Sequence, residues 1–66
     1  MNISEICKKY GISDASLNSK DDAHQIAAAS LLDLKNMVLE NRPRQEIANK
    51  LQFLADFLID VKNSSY

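Results

Sequence analysis

The 66 residues include one glycine, one proline, one cysteine, one histidine and no tryptophan. Each scarcity excludes something. A lone cysteine, Cys7, rules out an intrachain disulfide framework and fits a reducing, intracellular compartment. A lone histidine, His24, leaves no histidine cluster for a metal centre. One glycine, Gly11, leaves no glycine-rich loop to cradle phosphate. No apolar run approaches the roughly 20 residues that a membrane-spanning helix needs. Met1 leads into a polar, charged segment, so no signal peptide is expected and the predicted location is cytoplasmic. Net charge is −1 and the pI about 5.6, so bulk charge does not draw the chain to nucleic acid or anionic lipid.

What is present favours helix. Apolar residues make up 45% of the chain and charged residues 26%, and β-branched residues are few. Asn2 with Glu5 reads as a capping box opening a helix over 3–10, with Ile3, Ile6, Cys7 and Tyr10 on one face. Lys8 and Lys9 suit its last turn, and Gly11 ends it with Ile12 as the following apolar contact. Ser19 caps a second helix over 20–40, where Asp21 and Asp22 suit the positive end of the dipole. Its main apolar face is Ala23, Ile26, Ala27, Leu31, Leu34, Met37 and Val38; a second stripe of Ala28, Leu32 and Leu39 lies beyond Lys35. The break falls at Asn41 and Arg42, since a residue before proline avoids the helical region. Pro43 then opens a third helix over 43–62. Ile47, Leu51, Leu54, Leu58 and Val61 form its seam, with Phe53 and Phe57 on one flank and Ala48, Ala55 and Ile59 on the other. Gln45, Asn49, Gln52, Asp56 and Asp60 form its solvated face, Glu46 and Lys50 a favourable pair, and 63–66 a frayed end.

The expected fold is therefore all-α, one domain over 1–66: a short N-terminal helix, then a long antiparallel helical hairpin. Ile3, Ile6 and Tyr10 should cap one end of the hairpin groove. Ala28, Leu32, Leu39, Phe53 and Phe57 are left short of partners, and burying one large apolar side chain is worth roughly 1.5–3 kcal/mol. A chain this short gains from association, because ordering it costs roughly 1.5 kcal/mol per residue. These five residues are the predicted partner-binding set. They would meet a second copy, giving a four-helix bundle, or a larger protein.

No catalytic, cofactor-binding or metal-binding residue is expected, and enzyme activity is not. His24 reads as exposed, Cys7 as a small buried hydrophobe, and Asp56 and Asp60 as surface carboxylates without a cleft to shift their titration. Arg42, Arg44 and Lys50 gather at the hairpin tip as solvated loop charges.

Residues 3–17 carry a second pattern. Cys7 precedes Gly11 by four, Ile12 and Ser13 follow the glycine, and Ser16 and Leu17 match the opening of a second helix. The stretch resembles the helix-turn-helix of transposase-type DNA-binding domains, which implies a small DNA-binding protein as the alternative function. Residues 18–22 lack that family's apolar anchor and the basic or aromatic residues it has further along, and Asp14, Asp21 and Asp22 would face phosphates. The leading expectation is a small cytoplasmic interaction module (regulator, adaptor or chaperone-like subunit) acting through an apolar helical surface.

Overall fold

The computed structural model describes residues 2–13, 16–17 and 19–64, with Lys20 described by its backbone alone. Three helices follow one another: α1 (Ile3–Tyr10), α2 (Lys20–Leu39) and α3 (Arg44–Lys62). The described residues include no strand. The whole measures 37 × 18 × 17 Å.

Local chemistry sets the helix ends. Asn2 is extended, and its Oδ1 accepts the Glu5 amide at 2.9 Å. Ser19 is likewise extended, and its Oγ accepts the Asp22 amide at 3.3 Å. Each cap satisfies one of the amides that an α-helix leaves orphaned in its first turn. Gly11 takes the left-handed conformation at φ 66°, and the Ile12 amide reaches back to the Cys7 carbonyl at 2.9 Å. This is the Schellman closure, and Ile12 packs its side chain against the adjacent core.

The end of α2 departs from expectation. The helix stops at Leu39 because Asn41 enters the left-handed region at φ 55°. The Arg42 amide then bonds the Met37 carbonyl at 3.0 Å and the Asn41 amide bonds Val38 at 3.1 Å, a second Schellman closure. Asparagine substitutes here for the missing glycine, since its short polar side chain tolerates this conformation. Pro43 stands one residue outside α3 at ψ 139°, and its carbonyl accepts the Glu46 and Ile47 amides at 3.0 and 3.3 Å. Of the predicted frayed end, Asn63 and Ser64 are ordered by bonds to Ile59 and Val61; Ser65 and Tyr66 lie outside the described residues.

Two clusters hold the helices together. Ala27, Leu34 and Leu54 make one, joined by Met37 and Ile47. Ile6, Cys7, Leu17, Ala23, Phe57 and Val61 make the other, with Ile3, Tyr10, Ile12 and Ile26 against it. The buried line of α2 is thus Ala23, Ala27, Ser30 and Leu34; Leu31 and Val38, expected inside, are exposed. The inner line of α3 is Ile47, Lys50, Leu54, Phe57 and Val61; Leu51 and Leu58, expected in the seam, are exposed. The expected seams hold at Ala23, Ala27 and Leu34 of α2 and at Ile47, Leu54 and Val61 of α3; the α3 line turns by roughly 40°, less than half of one 100° step, so that Lys50 and Phe57 replace Leu51 and Leu58. Ala23 shares a cluster with Phe57, which is fully buried.

Two outcomes follow for stability. Replacing Asn41 by glycine should leave the chain as stable or slightly more so, while Asn41→Val should cost about 1–2 kcal/mol in chemical denaturation. Equal stability of the glycine and valine variants would contradict the left-handed closure. Phe57→Ala should cost about 3–5 kcal/mol, a large share of what a chain this short possesses, and a cooperative unfolding transition should be weakened or lost by circular dichroism.

Candidate interaction surface

One side of the α2–α3 pair is covered at its Phe57 end; further along, the same side opens into a cavity of about 460 Å³ lined by Met37, Arg42, Glu46, Asn49, Lys50 and Phe53. Tyr10, at the end of α1, meets Phe53 edge-on with centroids 5.3 Å apart and Phe57 edge-on at 5.5 Å. The two phenylalanine rings lie 3° from parallel. Edge-to-face contact suits the positive edge and negative face of aromatic rings. The Tyr10 hydroxyl donates to Asp60 Oδ2, and Lys9 Nζ donates to the same oxygen at 2.8 Å. Asp60 therefore leaves the predicted solvated face and is partly buried beneath α1. Gln45 and Asn49, and Gln52 and Asp56, remain exposed and bond each other in pairs.

These contacts move the titration of all three groups. Hydrogen bonds from Lys9 and then Tyr10 hold the Asp60 carboxyl below its ordinary value. The bond to Asp60 raises Lys9, while burial and then the bond to Asp60 raise Tyr10. Further along the covered side, Lys50 Nζ lies 3.9 Å from Asp33 and 5.6 Å from the Phe53 ring centre. Glu46 pairs with Arg42 at 2.8 Å, not with Lys50 as its spacing suggests. Of the predicted basic tip, Arg42 and Lys50 are thus engaged by carboxylates.

The opposite side is open. Of the five predicted partner-binding residues, Ala28, Leu32 and Leu39 are exposed, the last two by 59% and 71%. Phe53 is half-buried under Tyr10. Phe57 is a correction: it is enclosed within the protomer, because α1 and Leu17 lie over the flank that the sequence left bare. Sequence reasoning missed Leu31, Val38, Leu51, Leu58 and Ile59 as surface residues, and all five are exposed. At one end of this side, His24 of α2 and Leu58, Val61 and Lys62 of α3 line an open cavity of about 230 Å³. That lining joins the His24 flank of α2 to the Leu58 and Lys62 flank of α3 at this end.

The chemistry-bearing residues are accounted for individually. Cys7 is buried in the core cluster, and His24 is exposed. Among the described residues no three His, Cys, Asp or Glu side chains gather as a cation site, and no helix is long and apolar enough to cross a membrane. Leu17, placed by the transposase-type resemblance at the start of a second helix, is non-helical and fully buried, and α2 begins at Lys20. Asp14, Ala15 and Asn18 of that stretch lie outside the described residues. Comparison with family models, with curated proteins and with solved structures finds no match.

The Lys9–Tyr10–Asp60 arrangement sets a pH window. Asp60 holds its proton more weakly in the folded chain, so its contribution is present at neutral pH and is lost as pH falls below ~4 through the lowered value. Lys9 and Tyr10 hold protons more tightly when folded, so theirs is present below ~10 and lost as pH climbs through the raised values. The Tyr10 ring resonances should therefore report loosening of α1 at both extremes, and Asp60→Asn should flatten the acid limb. Tyr10 signals indifferent to acid in the native chain would contradict the assignment.

Proposed function

We propose that this chain is a non-enzymatic protein–protein interaction module that works through the side of α2 and α3 left open by α1. The two helices run antiparallel, joined by the short connection around Pro43, as clusters pairing Ala23 with Val61 and Met37 with Ile47 support. One observation carries the reading. Seven large aliphatic side chains stay exposed in so small a chain, and at about 100° per residue four of them, Leu31, Val38, Leu51 and Leu58, border the furrow between α2 and α3, while Leu32, Leu39 and Ile59 lie toward the backs of their helices. Single exposed leucines need no explanation, but a contiguous apolar patch marks a contact surface. Burying each of these side chains is worth roughly 1.5–3 kcal/mol, enough in sum to offset the cost of association.

Two kinds of partner bury the same residues. A second copy meeting face to face gives a four-helix bundle of two hairpins. A larger protein contributes its own helices to the same groove. The buried lone thiol of Cys7 suits work in a reducing cytoplasm.

Leu31→Glu with Leu51→Glu tests the reading. Both positions are exposed, so helical content should be unchanged by circular dichroism. The wild-type chain should either sediment above monomer mass or co-purify with a stoichiometric partner from its host, and the double variant should do neither. A wild-type chain and a variant indistinguishable in both measurements would contradict the interaction reading.

A further inference from the structure

On the Phe53 side of the α2–α3 pair Lys9 bonds Asp60, Arg42 pairs with Glu46 and Lys50 lies near Asp33, while Lys8 of α1 is exposed with no ion pair among the described residues. On the open side the cations are Lys35 of α2 and Arg44 and Lys62 of α3, all exposed. Lys62 lines the end cavity beside Leu58, and Lys35 lies between Leu31 and Val38 along the helix. Among the described residues none of these three has an ion pair. At about 100° per residue, Asp21 falls at the back of α2, at the same angle as Leu39, and Asp56 at the back of α3, both away from the groove; Gln52 already bonds Asp56.

We infer that the open groove receives an amphipathic helix whose apolar stripe is bordered by aspartate or glutamate. The inference rests on the interaction reading above and names the partner's chemistry. Three considerations lead to it. The first is complementarity: unpaired cations bordering an apolar groove favour an acidic rim on the occupant and oppose a basic one. The second is the self-contact. A second copy brings the same cations to the interface while its carboxylates Asp33, Glu46 and Asp60 stay engaged on the far side. The third is shape. By the same angular placement, Leu31, Val38, Leu51 and Leu58 border the furrow between the two helices, where a helix ridge reaches them and a flat lipid surface reaches only the rims.

Two synthetic helical peptides provide the test. Both carry leucines at heptad spacing; one has glutamates on either flank of the leucine stripe, the other lysines. The glutamate peptide should bind about tenfold more tightly or better by fluorescence anisotropy, since three rim pairs of modest strength sum to that factor. The gap should narrow in about 0.5 M salt, where exposed charges are screened. The triple reversal Lys35→Glu, Arg44→Glu and Lys62→Glu, all on exposed positions, should invert the preference while leaving helical content intact. Equal binding of both peptides would overturn the acidic-partner inference and leave the interaction reading standing. Self-association with neither peptide bound would assign the groove to a second copy and overturn it. Retention on phosphatidylserine vesicles with neither peptide bound would overturn it in favour of a lipid surface. A monomer that binds no peptide and no vesicle would count against both readings.

Discussion

The docking of α1 across Phe53 and Phe57 decides what the rest of the molecule can do. Two helices packed side by side have two long sides, and the described residues hold one short helix with which to cover either. Tyr10 commits that helix to the phenylalanine side, edge-on to both rings, and the bond to Asp60 gives its hydroxyl a partner where it is partly buried. Choosing that side leaves the leucines of the other side to solvent. The open surface is thus a consequence of the core, not a separate feature added to it.

The core in turn depends on small residues. Ala23 shares its buried cluster with Phe57, and Ala27 shares one with Leu34 and Leu54. Interiors pack at the density of organic crystals, so a seam is selected by fit as much as by hydrophobicity. Ser30 lies inside and Leu31 outside, although transfer free energy alone would reverse them.

The same point explains what the sequence could and could not reveal. Helix existence and the limits of α1 were legible, because Asn2, Ser19 and Gly11 carry their caps in their own chemistry. Asn41 was read as a break for the wrong reason: the left-handed turn, not the following proline, ends α2. The seams were read correctly at Ala23, Ala27, Leu34, Ile47, Leu54 and Val61 and misread at Leu31, Val38, Leu51 and Leu58, because periodicity ranks leucines above alanines and serine. Leu32 and Leu39 were correctly seen as surplus to a single seam, and Phe57 was not, since its cover comes from α1 and Leu17, distant in sequence. The pairing of Glu46 with Arg42 and of Lys50 with Asp33 likewise required the third dimension. Lys50 lies on the inner line of α3, on the Phe53 flank, while Lys35, Arg44 and Lys62 fall on the other flank.

Side-resolved solvent exposure of the methyl groups, measured on the isolated chain by paramagnetic relaxation from a soluble agent, tests this architecture most directly. Coverage of one side alone predicts fast relaxation at Leu31, Val38, Leu39, Leu51 and Ile59, and protection at Ile6, Leu17, Leu54 and Val61. Protection of Leu31 and Leu51 in a monomer, with exposure at Ile6 or Leu17, would mean that α1 covers the other side, and the open surface described above would not exist.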